Sequence, residues 1–267
     1  MKNILLLAHD DAGQEARLQA ALDVARCFDG HLTCLDDAIV PEVVGNFYGG
    51  LGKAILIEEE AQQEALNRTR LEARLAIEQV PWTYRESIGV LSGALRDAAV
   101  FADLIVLNRD LDFLMMPDMG AIIGDTLAKT RVPILAVGYD AAGINLGGRV
   151  LVAWDGSPTA VAAVRAAVPL LQQSCEALIY AADDGSIEQT AEDAAIYLTR
   201  HGVAVTVKRE RASGRRPAEM VLEQVEQYDA AYVVMGGYGH SPLTERLIGG
   251  MTRKMLGKSP VPLFLAH

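Results

Sequence analysis

The strongest constraint on the fold of this chain is an internal repeat. LLLAHDDA at Leu5–Ala12 lines up with VLVAWDGS at Val150–Ser157, DLIVLNR at Asp103–Arg109 with AYVVMGG at Ala231–Gly237, and RVPILAV at Arg131–Val137 with PVPLFLA at Pro260–Ala266. Three correspondences in one order mean a tandem duplication, so the two copies must share one fold. The first two blocks stand further apart in the first copy, which places an insertion there. Pro41–Ala76 is the candidate, because most of it is a long charged segment of good helix formers. The 267 residues divide into domains at 1–140 and 147–267, with Gly138–Gly148 reading as the linker.

Within each copy, aliphatic runs alternate with Ala- and Leu-rich helical patterns. In the second copy the runs are Val150–Ala153, Ala177–Ala181, Val203–Arg209, Ala231–Met235 and Val261–Leu265. Strands apolar at consecutive positions are buried on both faces, as in a parallel sheet covered by helices. The expected fold is α/β: two tandem doubly wound domains, each a five-stranded, mostly parallel sheet with helices on both faces. In such a fold ligands meet the carboxyl ends of the strands.

A formal net charge of −11 disfavours nucleic acid and anionic membranes as partners. No apolar stretch approaches the ~18 residues of a membrane span, and MKNILLLAHDD reads as a strand, not a signal peptide. Cys27, Cys34 and Cys175 are odd in number and form no C-x-x-C pair, so they are expected to be reduced, mostly buried thiols of a cytoplasmic protein.

One segment points to a ligand. MGGYGHSPLTERLIGGMT, Met235–Thr252, sets Gly236, Gly237 and Gly239 directly after a strand and Gly249 and Gly250 directly before a helix. Glycine lets a backbone approach a ligand closely, and free N–H groups at a helix start attract phosphate. Arg253 and Lys254 would add positive charge. Tight turns alone would also explain the glycines. Two familiar motifs fail: Thr252 stands where a P-loop ending in Gly257-Lys258-Ser259 needs glycine, and Pro242 stands at the third Gly of a dinucleotide pattern starting at Gly237.

The spacing that fits is G-x2-G-x9-G, met by Gly236, Gly239 and Gly249 and followed by T-R-K and a terminal V-P strand. Here the chain resembles the universal stress protein family in its tandem form, with Asp155 at the end of the first strand in the family's place. The resemblance implies a Rossmann-like domain of the adenine nucleotide alpha hydrolase type and an adenine nucleotide, ATP, ADP or AMP, with or without Mg. Carried over, Ala153 and Asp155 face the base end, Ala181 lines the base pocket, Met235 and Gly236 flank the ribose, and Gly239, Gly249, Gly250 and Met251 surround the phosphates. Gly250 replaces the family's Ser or Thr, a lost hydroxyl worth about 0.5–1.5 kcal/mol. The family's fifth strands pair across a dimer, so a tandem chain would form that dimer within itself and could pair again as a homodimer.

The first copy has Asn108, Leu111, Gly120 and Ala121 at the motif positions and an acidic, Met-rich loop between them, so no nucleotide is expected there. Asp10 then reads as a turn residue or helix N-cap. His240 beside the glycines reads as a loop residue, His31 with Cys34 as no metal site, and Ser157 as a helix N-cap. The basic run Lys208–Arg216 could steer an anion but reads by default as a solvated strand end. No base or Walker lysine is evident, so hydrolysis, if any, is slow. The function implied is a stress-response regulator that binds a nucleotide in its second domain. The alternative is a scaffold that binds none and acts through a protein partner.

Overall fold

A computed structural model of the chain describes residues 1–39, 50–109, 118–183, 190–238 and 250–267. The first half runs β1 (Asn3–Leu7), α1 (Gln14–Phe28), β2 (His31–Ile39), α2 (Gly50–Leu75), β3 (Trp82–Gly89), α3 (Leu91–Ala98), a short 3-10 turn (Ala99–Phe101), β4 (Leu104–Asn108), α4 (Met119–Thr130) and β5 (Ile134–Val137). The second runs β6 (Arg149–Ala153), α5 (Pro158–Leu171), β7 (Glu176–Asp183), α6 (Ala191–Arg200), β8 (Val205–Arg211), α7 (Pro217–Tyr228), β9 (Tyr232–Gly236), α8 (Gly250–Lys258) and β10 (Leu263–Ala266). The long helix expected in the insertion is α2, with 26 residues against 10 in its counterpart α6.

All ten described strands form one sheet, in the order β3-β2-β1-β4-β5-β10-β9-β6-β7-β8. Each half is parallel throughout, and the halves meet where β5 and β10 pair antiparallel, Leu135 opposite Phe264. The expected dimer-like join of fifth strands therefore lies inside the chain.

Alternation along each strand builds two apolar layers. Leu6, Val106, Leu135, Val152, Val234 and Phe264 point to one face, and Leu7, Ile105, Ile134, Leu151, Val233 and Leu265 to the other. Both layers run through the seam, so the halves share their cores. A fully buried side chain of this size contributes about 1.5–3 kcal/mol. The edge strand β8 departs from the expected continuous apolar run: none of its residues is buried, and half-buried and exposed positions alternate from Val205 to Lys208.

Candidate functional site

The strand order reverses direction between β6 and β9, which pair with Ala153 opposite Met235. Chain connections leave these two strands toward opposite sides, and that opens a crevice at their carboxyl ends. The structure brings most of the expected residues to it. β7 pairs with β6 so that Ala181 falls just past the Ala153–Tyr180 pair, and Gly236 lies opposite Ala266 of β10. Ala153, Ala181 and Met235 are buried, Met251 is half-buried, and Asp155 and Gly250 are exposed. Gly239, Gly249 and His240 lie outside the described residues.

Local chemistry shapes this edge. Asp155 Oδ1 accepts the Ser157 N–H at 3.0 Å, Gly156 takes φ of 74°, and Ser157 Oγ accepts the Ala160 N–H at 3.2 Å as the N-cap of α5. That cap is the one expected. The start of α5 packs directly on the end of β9: a Cβ at Gly236 would lie 2.7 Å from both the Ala160 nitrogen and the Thr159 hydroxyl. Gly236 thus has a packing reason to be glycine. Gly250 differs, since a Cβ there meets no atom of the described residues within 4 Å.

Tyr238 follows the strand with φ of 59°, unusual for a residue with a side chain. Its N–H donates to the Thr252 hydroxyl at 3.3 Å, tying the residue after β9 to the first turn of α8. Its hydroxyl donates to the Gly120 carbonyl in α4 of the other half, and its ring lies where a Cβ at Gly124 would be, 2.8 Å away. In the opposite sense, Arg109 of the first half donates to the Leu256 and Ser259 carbonyls at 3.2 and 2.5 Å, at the end of α8. Neither crossing was visible in the sequence, where Tyr238 and Arg109 are ordinary loop residues.

The cations expected to help are partly committed. Lys254 Nζ donates to Glu219 Oε1 at 2.6 Å, while Arg253 is exposed and 4.0 Å from Asp118. Among the described residues, the basic run is largely neutralised: Arg209 pairs with Glu192, Arg215 with Glu210 and Glu223, and Arg216 with Glu219.

The matching edge of the first half is filled by its own side chains. Arg17, fully buried, donates to the Leu7 carbonyl at 2.7 Å, the His9 carbonyl at 2.6 Å, Asp11 at 2.8 Å and the Asn108 side chain. Asn108 is the counterpart of Gly236, and its amide occupies the space a Cβ at Gly13 would need. Beside it, His9 Nδ1 is 2.6 Å from Glu64 Oε1, Asn67 exchanges hydrogen bonds with Gln14 at 2.7 and 2.9 Å, and Tyr84 donates to Asp36 at 2.7 Å.

Burial alone would lower the His9 pKa, but Glu64 outweighs it and the pKa is raised. Burial likewise pushes Glu64 up, but bonds from His9 and Asn67 hold it below the usual carboxylate range. Burial pushes Asp36 up to about 6, against the Tyr84 hydrogen bond and with the help of Glu64. Burial lowers the Arg17 pKa despite Asp11.

Two expectations are corrected. Asp10 is not the cap of α1, which starts after Gly13 with no side-chain cap; Asp10 instead accepts from Arg70 at 2.7 Å and Gln63 at 3.1 Å on α2. Cys27 and Cys175 are exposed and only Cys34 is buried, because Cys27 sits on the outer side of the last turn of α1 and Cys175 in the turn before β7. Burial pushes the Cys34 thiol up to about 12. His31 bonds Thr83 at 3.2 Å, and among the described residues no group of three His, Cys, Asp or Glu could hold a metal. No described helix is long and apolar enough to cross a membrane.

Residues 148–267 match the model of the universal stress protein family. A universal stress protein from Archaeoglobus fulgidus DSM 4304 superimposes with a TM-score of 0.76 at 18% identity, over 99% of this chain and 95% of that one. A candidate universal stress protein from Pseudomonas aeruginosa UCBPP-PA14 does so with a TM-score of 0.63 at 16% identity, over 100% and 93%. At these identities the likeness is one of fold, and it extends over both halves. No curated protein gives a significant sequence match.

Proposed function

From the premise that residues 148–267 are a universal stress protein domain, we propose that the chain is a stress-response regulator, cytoplasmic, that binds an adenine nucleotide in the crevice between β6 and β9. The observation that carries this reading is the contrast between the two edges. The first-half crevice is occupied by the Arg17 guanidinium, whereas α8 begins, among the described residues, at an exposed Gly250 where a Cβ would meet no described atom within 4 Å, with no acidic residue in its first turn. A helix start of that kind attracts phosphate. Ala153, Asp155, Ala181, Met235 and Gly236 stand along the base and ribose side, Gly250 and Met251 at the phosphates, and Gly239 and Gly249 complete the motif. The chain's own part is to bind and orient. In this reading binding is the function.

The second reading, a scaffold without nucleotide that acts through a protein partner, has one observation in its favour: Gly236 is explained by the packing of α5. The two are separated by denaturing freshly purified protein, chromatographing the supernatant for adenine nucleotide, and titrating the stripped protein with ATP by calorimetry. A Gly250→Asp variant, which adds charge at an exposed position, should fold normally and lose binding. No retained nucleotide and no heat from the folded parent chain would favour the scaffold.

A further inference from the structure

A second hollow lies beside the crevice and adjoins it at Trp154, the residue between Ala153 and Asp155. It sits between α5 and α6, holds about 510 Å³, and is walled by Trp154, Pro158, Val161, Val164, Ala194 and Tyr197, with Arg165 and Asp193 as its polar members. Its origin is the length difference between the copies. In the first half the corresponding space between α1 and α2 is filled, because α2 carries Glu64 and Asn67, 4% and 1% exposed, back to His9 and Gln14. His9 is the sequence counterpart of Trp154, and Gln14 of Thr159. The ten-residue α6 supplies no such side chains, so a groove filled in one copy is hollow in the other.

The lining selects the chemistry of an occupant. An indole, a phenol and branched aliphatic side chains suit a planar apolar body, and the volume falls within the range of small-molecule sites. Arg165 is exposed, one turn beyond Val161 on α5, and its guanidinium has no ion pair or hydrogen bond among the described residues. A guanidinium in that condition is suited to a carboxylate, which it holds through two hydrogen bonds. Asp193 is already engaged: Thr190 donates its hydroxyl to Asp193 Oδ2 at 2.6 Å and accepts the Asp193 N–H at 3.2 Å. Its charge disfavours ligands more anionic than a monocarboxylate. We propose that this cavity binds a small aromatic monocarboxylate, its ring between Trp154 and Tyr197 and its carboxylate on Arg165. This site is independent of the nucleotide reading.

The chain has two tryptophans, and Trp82 lies on β3 at the far end of the sheet, so the two indole N–H resonances provide a probe and a control. The full chain is titrated with 1-naphthoate and, separately, with the neutral 1-naphthalenemethanol. The Trp154 signal should shift saturably while Trp82 stays. Arg165→Leu should weaken naphthoate at least tenfold and leave the alcohol unchanged, and Ala194→Phe, which puts a ring into the hollow, should abolish both. If Ala194→Phe does not fold, Val161→Phe, at a half-buried position, serves the same purpose. The proposal is overturned by the absence of a saturable Trp154 shift, by naphthoate binding that survives the filled cavity, by equal affinity in Arg165→Leu, or by displacement of naphthoate by ATP, which would assign the response to the nucleotide crevice.

Discussion

The two carboxyl edges began as copies and now use the same place differently. In the first half, Asn108 and Arg17 close the crevice from within and α2 covers its flank through Glu64 and Asn67. In the second, β9 ends in Gly236, α6 is short, and the start of α8 is exposed. A ligand site can be lost without damage to the fold when a side chain takes over the ligand's polar contacts. Here a buried guanidinium bonds two carbonyls, a carboxylate and an amide from within the chain. The duplicated sheet can then keep one half for structure and one for binding.

Removing the plug is the most severe way to break the contrast. Arg17→Met should cost about 3–5 kcal/mol, since Asp11 and two buried carbonyls lose their donor, read as a lower denaturant midpoint for the full chain. A loss below about 1 kcal/mol would mean that the first edge is solvated and not sealed.

A second test uses pH. His9 has a raised folded-state pKa, so its contribution is complete below the ordinary 6.5 and is lost as pH climbs through the raised value. Asp36 has the same sign: its contribution is complete below 3.8 and gone by about 6. Glu64, held low, contributes above 4.5 and is lost only in acid. From pH 4.5 to 7.5 stability should therefore decline, and Asp36→Asn should flatten the part below about 6. An Asp36→Asn chain that declines as steeply as the parent over that lower range would remove Asp36 as a cause.

The mildest test sharpens the second edge. Gly250→Ser adds a hydroxyl at an exposed position; unfolding free energy should change by less than about 0.5 kcal/mol. ATP affinity should rise by up to about tenfold, the value of one neutral hydrogen bond. Unchanged affinity in calorimetry would place the phosphates elsewhere.

The repeat and the parallel halves were legible because consecutive apolar residues and their order carry that information, whereas the seam between fifth strands was expected only through the family resemblance. So was the Ser157 cap, which depends on near neighbours. The plug was not: Arg17 belongs to an amphipathic helix, and nothing local shows that its guanidinium turns inward to meet Asn108, 91 residues away. Of the two readings of Asp10, turn residue or N-cap, the cap fails for the same reason, since its partners Gln63 and Arg70 belong to a helix far along the chain. The hollow between α5 and α6 was equally hidden, being the absence of side chains that only the comparison of two helix lengths exposes.

The antiparallel seam also has a history during synthesis. β5 is complete before any of the second half exists, and its partner β10 is made only after the rest of that half. At ~5–20 residues per second, the first half spends on the order of ten seconds with an unpaired strand edge, the kind of surface that recruits other chains. β5 has four residues, all apolar and buried in the finished sheet, and this brevity limits what a stray strand could gain there. A nascent chain of this design is most exposed to misassembly midway through its own translation, and the closing strand ends that risk by completing the sheet.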